Sequence, residues 1–334
     1  MLKSKKFWGI ISSFLFLWLA LYGLDFQKIP NILESVNWVY IPLIFLSMLF
    51  EHLTRGIRWK VLLNGRSLSV KNSFYATALG YFFNNIFPAR AGEFIKAWYL
   101  KKKCDTNFGE AVGSVVIERF LDGVLTLGLM CFSLNLFTST PFMKKAAITT
   151  LVFYSLILVG IVSIYFRKND FEKLANRIFS LLPQKFSLKL STMFNSFMNG
   201  LIIATNSFKV FISSIAWTII AWSFTFLTHY LFVRMLNMDL NLSSISFIMV
   251  VAAIGAMIPG SPGNLGIYEY SCVLAIHNVL NYSHELGATF GILTHTLNYA
   301  FVAVEGFIVL TLENLSIKEI QEKQKESESK EKLD

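Results

Sequence analysis

The 334-residue chain is 54% hydrophobic and only 15% charged, and its mean hydropathy is +0.53. A soluble domain carries roughly 25% charged residues, so this composition excludes an ordinary soluble protein and indicates a membrane protein. The formal net charge of +9 does not indicate nucleic-acid binding, because the basic residues lie between apolar segments rather than on one soluble face.

Nearly uncharged runs of membrane-spanning length lie at about 7–24, 37–53, 112–137, 146–166, 210–236 and 287–312. The first run follows three lysines, as a signal peptide would. It is long for a signal peptide, and no small-residue cleavage site follows it, so we expect a retained helix. Two further apolar stretches, at about 73–103 and 244–281, are interrupted. The sequence therefore predicts an all-α, polytopic integral membrane protein with about six transmembrane helices.

Proline and glycine interrupt both of these stretches. The breaks in the first are Pro88 and Gly92, and those in the second are Pro259, Pro262, Gly263 and Gly266. Proline and glycine end helices, so the backbone does not simply continue across the bilayer at these points. Apolar helices that break within the membrane and carry a carboxylate are typical of transport sites.

The distribution of lysine and arginine predicts the topology. If 73–100 crossed the membrane, Lys101–Lys103 would lie outside, whereas a re-entrant hairpin keeps these lysines inside with the other basic loops. We therefore predict two re-entrant hairpins in an inverted repeat, with both termini cytoplasmic. The alternative is two unrelated proline and glycine kinks.

The expected domains follow from this topology. Residues 1–314 form the membrane domain, with repeat one at about 7–137 and repeat two at about 146–312. A cytoplasmic amphipathic linker is predicted at 167–209, and 315–334 is a charged cytoplasmic tail.

Three charged residues fall inside the 112–137 run. Glu118 and Asp122 are spaced i,i+4, so they project from one face of the helix, and Arg119 lies between them. Each uncompensated charge in hydrocarbon costs at least about 2.5–3.5 kcal/mol on insertion scales. These side chains therefore either neutralise neighbouring charges, as a purely structural cluster, or line a polar cavity that binds substrate.

Polar residues also flank the two breaks. Arg90, Glu93 and Glu269 follow them at new helix starts, where free N–H groups and the positive helix end suit an anion such as phosphate. The alternative is that both glutamates only cap these helices. Three amides at the breaks either satisfy broken backbone or contact a lipid headgroup, namely Asn84, Asn85 and Asn264.

Two further sets have both an ordinary and a functional interpretation. Arg55 and Arg58, which precede Trp59, are either an interfacial anchor or a phosphate-binding pair at the cytoplasmic mouth. His295 and Glu305 in the last run are candidates for proton coupling. No metal-ligand spacing, nucleotide fingerprint or catalytic triad occurs, so we expect neither metal nor cofactor.

These motifs resemble the lysylphosphatidylglycerol synthase transmembrane family, the flippase-like region of the multiple peptide resistance factor, also called the UPF0104 group. The resemblance extends from about 50 to 312 and rests on Arg55-x-x-Arg58-Trp59, Asn84-Asn85-x-x-Pro88-x-Arg90-x-Gly92-Glu93, Glu118-Arg119-x-x-Asp122 and Pro262-Gly263-x-x-Gly266-x-x-Glu269. This chain has Lys96 where the family often carries arginine, and Asn264 where a third small residue is common.

The resemblance implies movement of a polar lipid, such as aminoacylated phosphatidylglycerol, between the leaflets of a bacterial inner membrane. In the full-length factor, a soluble acyltransferase-like domain transfers a lysyl group from lysyl-tRNA to the lipid. Such a domain needs a few hundred residues, and only about twenty polar residues follow the last helix here, so we expect a transporter rather than an enzyme. Expected partners are a membrane phospholipid or lipid-linked substrate and a separate lipid synthase or glycosyltransferase.

Three hypotheses follow. In the leading one, a flippase-like transporter binds phosphate through Arg58, Arg90 and Arg119, and its acidic residues contact an amine or a coupling proton. In the second, a membrane-embedded enzyme or subunit acts on a lipid-linked substrate. In the third, the chain is a scaffold for envelope synthesis that docks through 167–209 and the tail. The acidic set of the first hypothesis is Glu93, Glu118, Asp122 and Glu269.

Overall fold

The structure, a computed structural model, describes residues 15–63, 68–87, 91–104, 107–137, 141–181, 187, 190–192, 194–198, 207–256 and 262–316. These residues form helices joined by short turns, and no β-strand occurs among them, which confirms the all-α class. Among them, Phe208–Met235 and His284–Leu312 are long and apolar enough to cross a membrane, with a third span if the segments Phe26–Glu34 and Trp38–Leu62, bent by 67°, count as one. The count of six crossings stays a prediction.

The helices are numbered in chain order. They are α1 (Ile29–Glu34), α2 (Ile41–Leu62), α3 (Val70–Ile86), α4 (Gly92–Lys103), α5 (Phe108–Phe132), α6 (Leu134–Phe137), α7 (Pro141–Phe166), α8 (Lys168–Phe179), α9 (Phe208–Met235), α10 (Leu242–Gly255), α11 (Ile267–Val273) and α12 (His284–Leu312). Residues 15–21 are also helical, and α11 continues as a π-helix over Leu274–Val279.

Helix α2 extends further than the sequence pattern predicted. The apolar run was expected to end near residue 53, whereas α2 continues to Leu62 and includes Arg55 and Arg58. Both arginines are buried and ion-paired, so they do not end the helix at a membrane surface. The interfacial-anchor interpretation is therefore wrong for this motif, because Arg58 and Trp59 are both 0% exposed.

The two halves of the bundle contain the same order of elements. In each, a long helix (α2 or α9) is followed by two shorter arms (α3 and α4, or α10 and α11) and a final helix (α5 or α12). Corresponding helices also begin in the same way. Side-chain oxygens of Ser69, Asn107, Asn241 and Ser283 accept hydrogen bonds from backbone N–H groups in the first turns of α3, α5, α10 and α12.

Helices α3 and α4 fold back on one another as the first hairpin. Near its tip, the backbone N–H of Gly92 donates to Asn84 Oδ1 at 2.8 Å. At its open end, Asn72 Nδ2 lies 3.8 Å from Cys104 Sγ. A Cβ atom on Gly92 would lie 1.9 Å from the carbonyl oxygen of Gly80, so only glycine permits this close approach of the two arms.

Helices α10 and α11 form the second hairpin in the same way. A Cβ atom on Gly255 would lie 2.1 Å from Ser271 Oγ, which places the two arms in contact near the tip. At the open end, the hydroxyl of Tyr282 donates to the carbonyl oxygen of Asp239 at 2.8 Å. Helix α10 is buried around most of its surface, as expected for an apolar helix enclosed by its neighbours.

The two hairpins open at opposite ends of the bundle. Helix α12 has 29 residues and is therefore about 43 Å long. The open end of the second hairpin lies at the start of α12, which Tyr282 precedes by two residues. The open end of the first hairpin lies at the other end of α12, where Lys103 forms an ion pair with Glu313 at 2.5 Å. The turn Pro262–Asn264 at the start of the second arm of the second hairpin packs against α3 of the first hairpin.

Two contacts join helices of one predicted half to helices of the other. Tyr154 of α7 packs where a Cβ atom of Gly123 in α5 would lie, so α7 of the second predicted repeat contacts the final helix of the first. Conversely, Ala20 near the N-terminus packs with Val273 and Ala288 of the second half. The first elements of the two predicted repeats are therefore each packed against the other half.

The polar regions of the chain are described only in part. Helix α8 begins the predicted amphipathic linker and exposes Leu174, Ile178 and, just after it, Leu181 along one side. Most of the linker beyond it lies outside the described residues, as does all of the predicted tail after residue 316. The proposed domain boundaries therefore stay predictions.

Candidate functional site: a buried charge cluster between the halves

A cluster of charged side chains lies inside the bundle, where α2, α4 and α5 meet α9. It is called the charge cluster below and contains four cationic and four acidic side chains, so its formal charges cancel: Arg55, Arg58, Lys96, Arg119, Glu51, Glu93, Glu118 and Asp122. Such a set is stable inside a protein only because each charge has partners of opposite sign.

Arg58 is the centre of this cluster. Its Nη2 lies 2.7 Å from Glu118 Oε1, and its Nη1 lies 2.6 Å from Asp122 Oδ1. The two carboxylates project from one face of α5, as their i,i+4 spacing predicted, and one guanidinium contacts both. The short contacts to both carboxylates therefore come from α2, a helix of the same predicted repeat, and not from Arg119, which lies between them in the sequence.

Lys96 joins the first hairpin to this network. Its Nζ lies 2.7 Å from the second oxygen of Glu118, and the ammonium also lies 4.0 Å from the centre of the Trp59 ring. In the sequence, Lys96 stood out only as a departure from the related family. The available signal was a lysine one turn after Glu93 in an apolar segment, where a buried cation needs an acidic partner.

Helix α9 adds polar contacts from the second half. The indole Nε1 of Trp222 donates to Asp122 Oδ1 at 3.0 Å, and Thr218 Oγ1 accepts from Arg58 at 3.2 Å. Arg55 lies 3.0 Å from Glu51 and 3.4 Å from Asp122. Isolated polar residues in an apolar helix carry little signal of a partner, so the sequence did not identify Thr218 or Trp222.

Arg119 is held differently from the other cations. It lies 3.5 Å from Asp122, 3.6 Å from Glu118 and 3.8 Å from Glu93, and 36% of its side chain is exposed. Arg58 and Lys96 are buried and make contacts of 2.6–2.7 Å. Arg119 is therefore the accessible cation of the cluster, and its three acidic neighbours hold it only loosely.

The tip of the second hairpin is organised by Glu269. Its Oε2 accepts the backbone N–H of Gly266 at 2.7 Å, so the predicted helix-capping role of this glutamate is confirmed. Its Oε1 lies 2.6 Å from His295 Nδ1, and His295 Nε2 lies 3.0 Å from the carbonyl oxygen of Gly263. Gly263, Asn264 and Gly266 adopt positive φ angles of 67°, 59° and 83°, which is the backbone break that the sequence predicted.

The two residues proposed for proton coupling do not contact one another as a pair. His295 bonds to Glu269, whereas Glu305 lies 2.6 Å from Nδ1 of His52 in α2. The ring of His52 stacks on that of Tyr81 at 4.4 Å. The part of the chain that the structure describes thus contains two buried histidine–carboxylate pairs.

The remaining predicted site residues lie around the hairpin tips. Asn84 satisfies the broken backbone by accepting from Gly92, and Asn85 is half-buried in the last turn of α3. Pro88, Arg90 and Pro259 lie outside the described residues, and Pro262 begins the short turn that precedes α11.

Comparison with known proteins places this arrangement among membrane proteins. A family profile described as "Lysylphosphatidylglycerol synthase TM region" matches residues 6–306. The chain is 24% identical to UPF0104 membrane protein MJ1595 of Methanocaldococcus jannaschii over 91% of this chain and 93% of the relative. It is 28% identical to UPF0104 membrane protein MJ1078 of the same organism, over 68% of this chain and 92% of the relative. A UPF0104 membrane protein of Methanothermobacter thermautotrophicus is 22% identical over 87% of this chain and 90% of the relative. No solved structure matches the chain.

Proposed function

Because the chain belongs to the Lysylphosphatidylglycerol synthase TM region family, we propose that it is a flippase-like transporter that moves a polar phospholipid between the leaflets of the cytoplasmic membrane. The observation that carries the proposal is the charge cluster, which lies between the two halves and beside the first hairpin. Charges buried inside membrane proteins are costly and mark pathways for polar substrates. In this proposal the chain itself catalyses no reaction.

Arg119 and Glu93 are the proposed headgroup contacts. The side chain of Arg119 is 36% exposed, its buried Nε has no hydrogen-bond partner among the described residues, and its acidic neighbours lie 3.5–3.8 Å from its Nη atoms, so a phosphate can form shorter bidentate contacts with it. Glu93 lies in the first turn of α4 and is 19% exposed, so it can receive an amine of the same headgroup. Arg90, two residues before α4, is proposed as a second phosphate ligand. Arg58 and Lys96 hold the carboxylates of the site in position.

The opposed hairpins supply the proposed transport movement. They open at opposite ends of the bundle, and the turn Pro262–Asn264 of the second hairpin packs against α3 of the first, which suits an inverted repeat whose halves rock around a central site. We propose six crossings and two re-entrant hairpins, with the open end of the first hairpin in the cytoplasm. The basic residues Lys101–Lys103 at that end support this orientation, because positive charge accumulates on the cytoplasmic side.

Reconstitution of the purified protein tests this function directly. Liposomes with a fluorescent NBD-phosphatidylglycerol probe report lipid movement as the fraction of probe that external dithionite quenches. We expect the wild type to expose inner-leaflet probe, and Arg119→Gln to slow this by about tenfold or more, which corresponds to an increase of at least about 1.4 kcal/mol in the activation free energy. Lys101→Gln, on the exposed end of the same hairpin, is the matched control and should retain the wild-type rate.

A scaffold for an envelope-synthesis partner is the second candidate function. It is favoured by the exposed side of α8, where Leu174 and Ile178 are 56% and 55% exposed. The same liposomes separate the two functions, because a scaffold without its partner moves no lipid. Equal quenching in protein-containing and protein-free liposomes would reject the transporter.

A further inference from the structure

His52 and Glu305 connect the two halves of the bundle through a single short contact. His52 belongs to α2 and Glu305 to α12, and His52 Nδ1 lies 2.6 Å from Glu305 Oε2. Only 5% and 8% of these side chains are exposed. The second carboxylate oxygen, Glu305 Oε1, is buried and has no hydrogen-bond partner among the described residues. A buried carboxylate oxygen without a donor is costly, so this site differs from one built only for stability.

The other histidine–carboxylate pair provides the contrast. The carbonyl oxygen of Gly263 can only accept, so Nε2 of His295 must carry a hydrogen at their 3.0 Å contact. The 2.6 Å contact between His295 Nδ1 and Glu269 needs one further hydrogen, whichever atom holds it. Glu269 Oε2 already accepts from the N–H of Gly266. This pair therefore holds two protons in the folded protein and carries no net charge.

No such bonds fix the proton content of the His52–Glu305 pair. Within the described part of the chain, the hydrogen bond to Glu305 is the only one that the ring of His52 makes. The pair can hold one proton, with a neutral imidazole beside a carboxylate, or two, with no net charge. Histidine changes its charge in the physiological pH range, so both states are chemically accessible.

Among the described residues, no cation other than His52 forms an ion pair with Glu305. From α3, Tyr81 stacks on His52 at 4.4 Å, and from α12 the ring of Phe301 lies 5.5 Å away. The flanking charges on α2, Glu51 and Arg55, pair with one another at 3.0 Å, and Arg55 also lies 3.4 Å from Asp122. Tyr81 interacts electrostatically with Arg55 first and then with Arg119, Glu51 and Glu118, and His229 of α9 interacts with Glu51.

From this geometry we infer that His52 and Glu305 form a proton-binding site that gains and loses one proton. Loss of the proton leaves a net negative charge among apolar rings, which favours an arrangement of α2 and α12 that admits water. The link from this proton to lipid movement rests on the proposed transport function. The carboxylates of the charge cluster are poor candidates for this proton, since Glu118 and Asp122 each contact two or more cations.

Nuclear magnetic resonance of the imidazole nitrogens tests the proton site without any transport assay. The protein has five histidines, so ¹⁵N-histidine labelling in nanodiscs gives few signals. Across a pH series we expect the His52 signals to show two states that differ by one proton, and the His295 signals, fixed by the contacts with Gly263 and Glu269, to show one. His52→Asn assigns the signal, and a nuclear Overhauser effect to the Tyr81 ring assigns it independently if this variant does not fold.

Glu305→Gln provides the decisive comparison. It keeps the size of the side chain but removes the charge, so the second protonation state of His52 should no longer appear in the pH series. A constant His52 signal in the wild type, or a second state that persists in Glu305→Gln, overturns the inference.

Lipid movement measured with NBD-phosphatidylglycerol under an imposed pH difference then tests the coupling. We expect the wild-type rate to depend on the pH difference and Glu305→Gln to lose this dependence. If His52 titrates but no lipid moves, the proton site stands and the transport proposal fails. If lipid moves and His52 does not titrate, transport stands and the proton site is rejected.

Discussion

Lys96 and Glu118 form a 2.7 Å ion pair that joins the second arm of the first hairpin to the helix that follows it. The second half has a contact in the same place, where Glu269 of α11 meets His295 of α12 at 2.6 Å. Each hairpin tip is thus fastened to the final helix of its own half by one buried charged or titratable pair. If either hairpin moves, the final helix of the same half must move with it, or the pair that joins them must break.

The first prediction concerns topology. Lys101 lies at the open end of the first hairpin, and Lys28, whose Nζ is 3.5 Å from Glu285, lies at the open end of the second. In a variant without the three native cysteines, a membrane-impermeant maleimide applied to intact cells should label Lys28→Cys and not Lys101→Cys. Permeabilised cells should label both. External labelling of Lys101→Cys would exclude the inverted repeat.

The second prediction separates two arginines of the charge cluster. Arg58→Gln removes a fully buried cation and leaves two carboxylates short of a partner, which should cost about 3–5 kcal/mol of unfolding free energy. Arg119→Gln removes a cation that is 36% exposed, so its cost should stay near 1 kcal/mol or below. Thermal unfolding in detergent measures both. Equal destabilisation would mean that Arg119 is as structural as Arg58.

The third prediction tests whether the charge cluster contributes to lipid movement or only to stability. If Arg119 were purely structural, replacing Arg119 and Glu93 together by apolar residues of similar volume would retain lipid movement, whereas Glu118 is kept because Arg58 and Lys96 also pair with it. We expect the double variant to lose lipid movement per folded molecule, because the accessible cation is absent. Size-exclusion chromatography gives the folded fraction, and dithionite quenching gives the rate. Full activity of the double variant would assign both residues to stability alone.

The fourth prediction concerns the tip of the second hairpin. Glu269→Ala leaves the buried N–H of Gly266 without an acceptor, which should cost about 1–3 kcal/mol locally. Hydrogen–deuterium exchange of 262–275 should therefore accelerate. Glu269→Gln keeps an acceptor oxygen for this N–H and should restore slow exchange. If both variants exchange equally fast, the contact with His295, rather than the cap, holds the tip.

The fifth prediction concerns glycine at the same tip. Gly263 has a φ of +67°, and a Cβ atom there would lie 1.1 Å from Tyr299 Oη. Gly263→Ala should therefore destabilise the protein clearly and lower its melting temperature. Gly128→Ala in α5 is the matched control, since its Cβ would meet nothing within 4 Å, and alanine favours a helix by about 1 kcal/mol. A melting temperature of Gly263→Ala equal to that of the wild type would contradict the tight contact with Tyr299.

The sequence by itself determined the helical class, the approximate helix positions and the two breaks. These properties are local: apolar runs fix where a helix can lie in a membrane, and proline and glycine fix where it ends. The same local geometry placed Glu118 and Asp122 on one face of α5. The end of α2 was predicted too early, because charged residues end an apolar run but do not end a helix that buries them in ion pairs.

Only the tertiary structure decided which charges are partners. His52 and Glu305 are 253 residues apart, and Arg58 and Glu118 are 60 apart. Nothing in helix periodicity relates such positions, since the periodicity fixes the face of one helix and not its neighbour. The packing of α2 between α5 and α12 selects Arg58 rather than Arg119 as the buried cation. It also separates His295 from Glu305, because a helix presents residues ten positions apart to different neighbours.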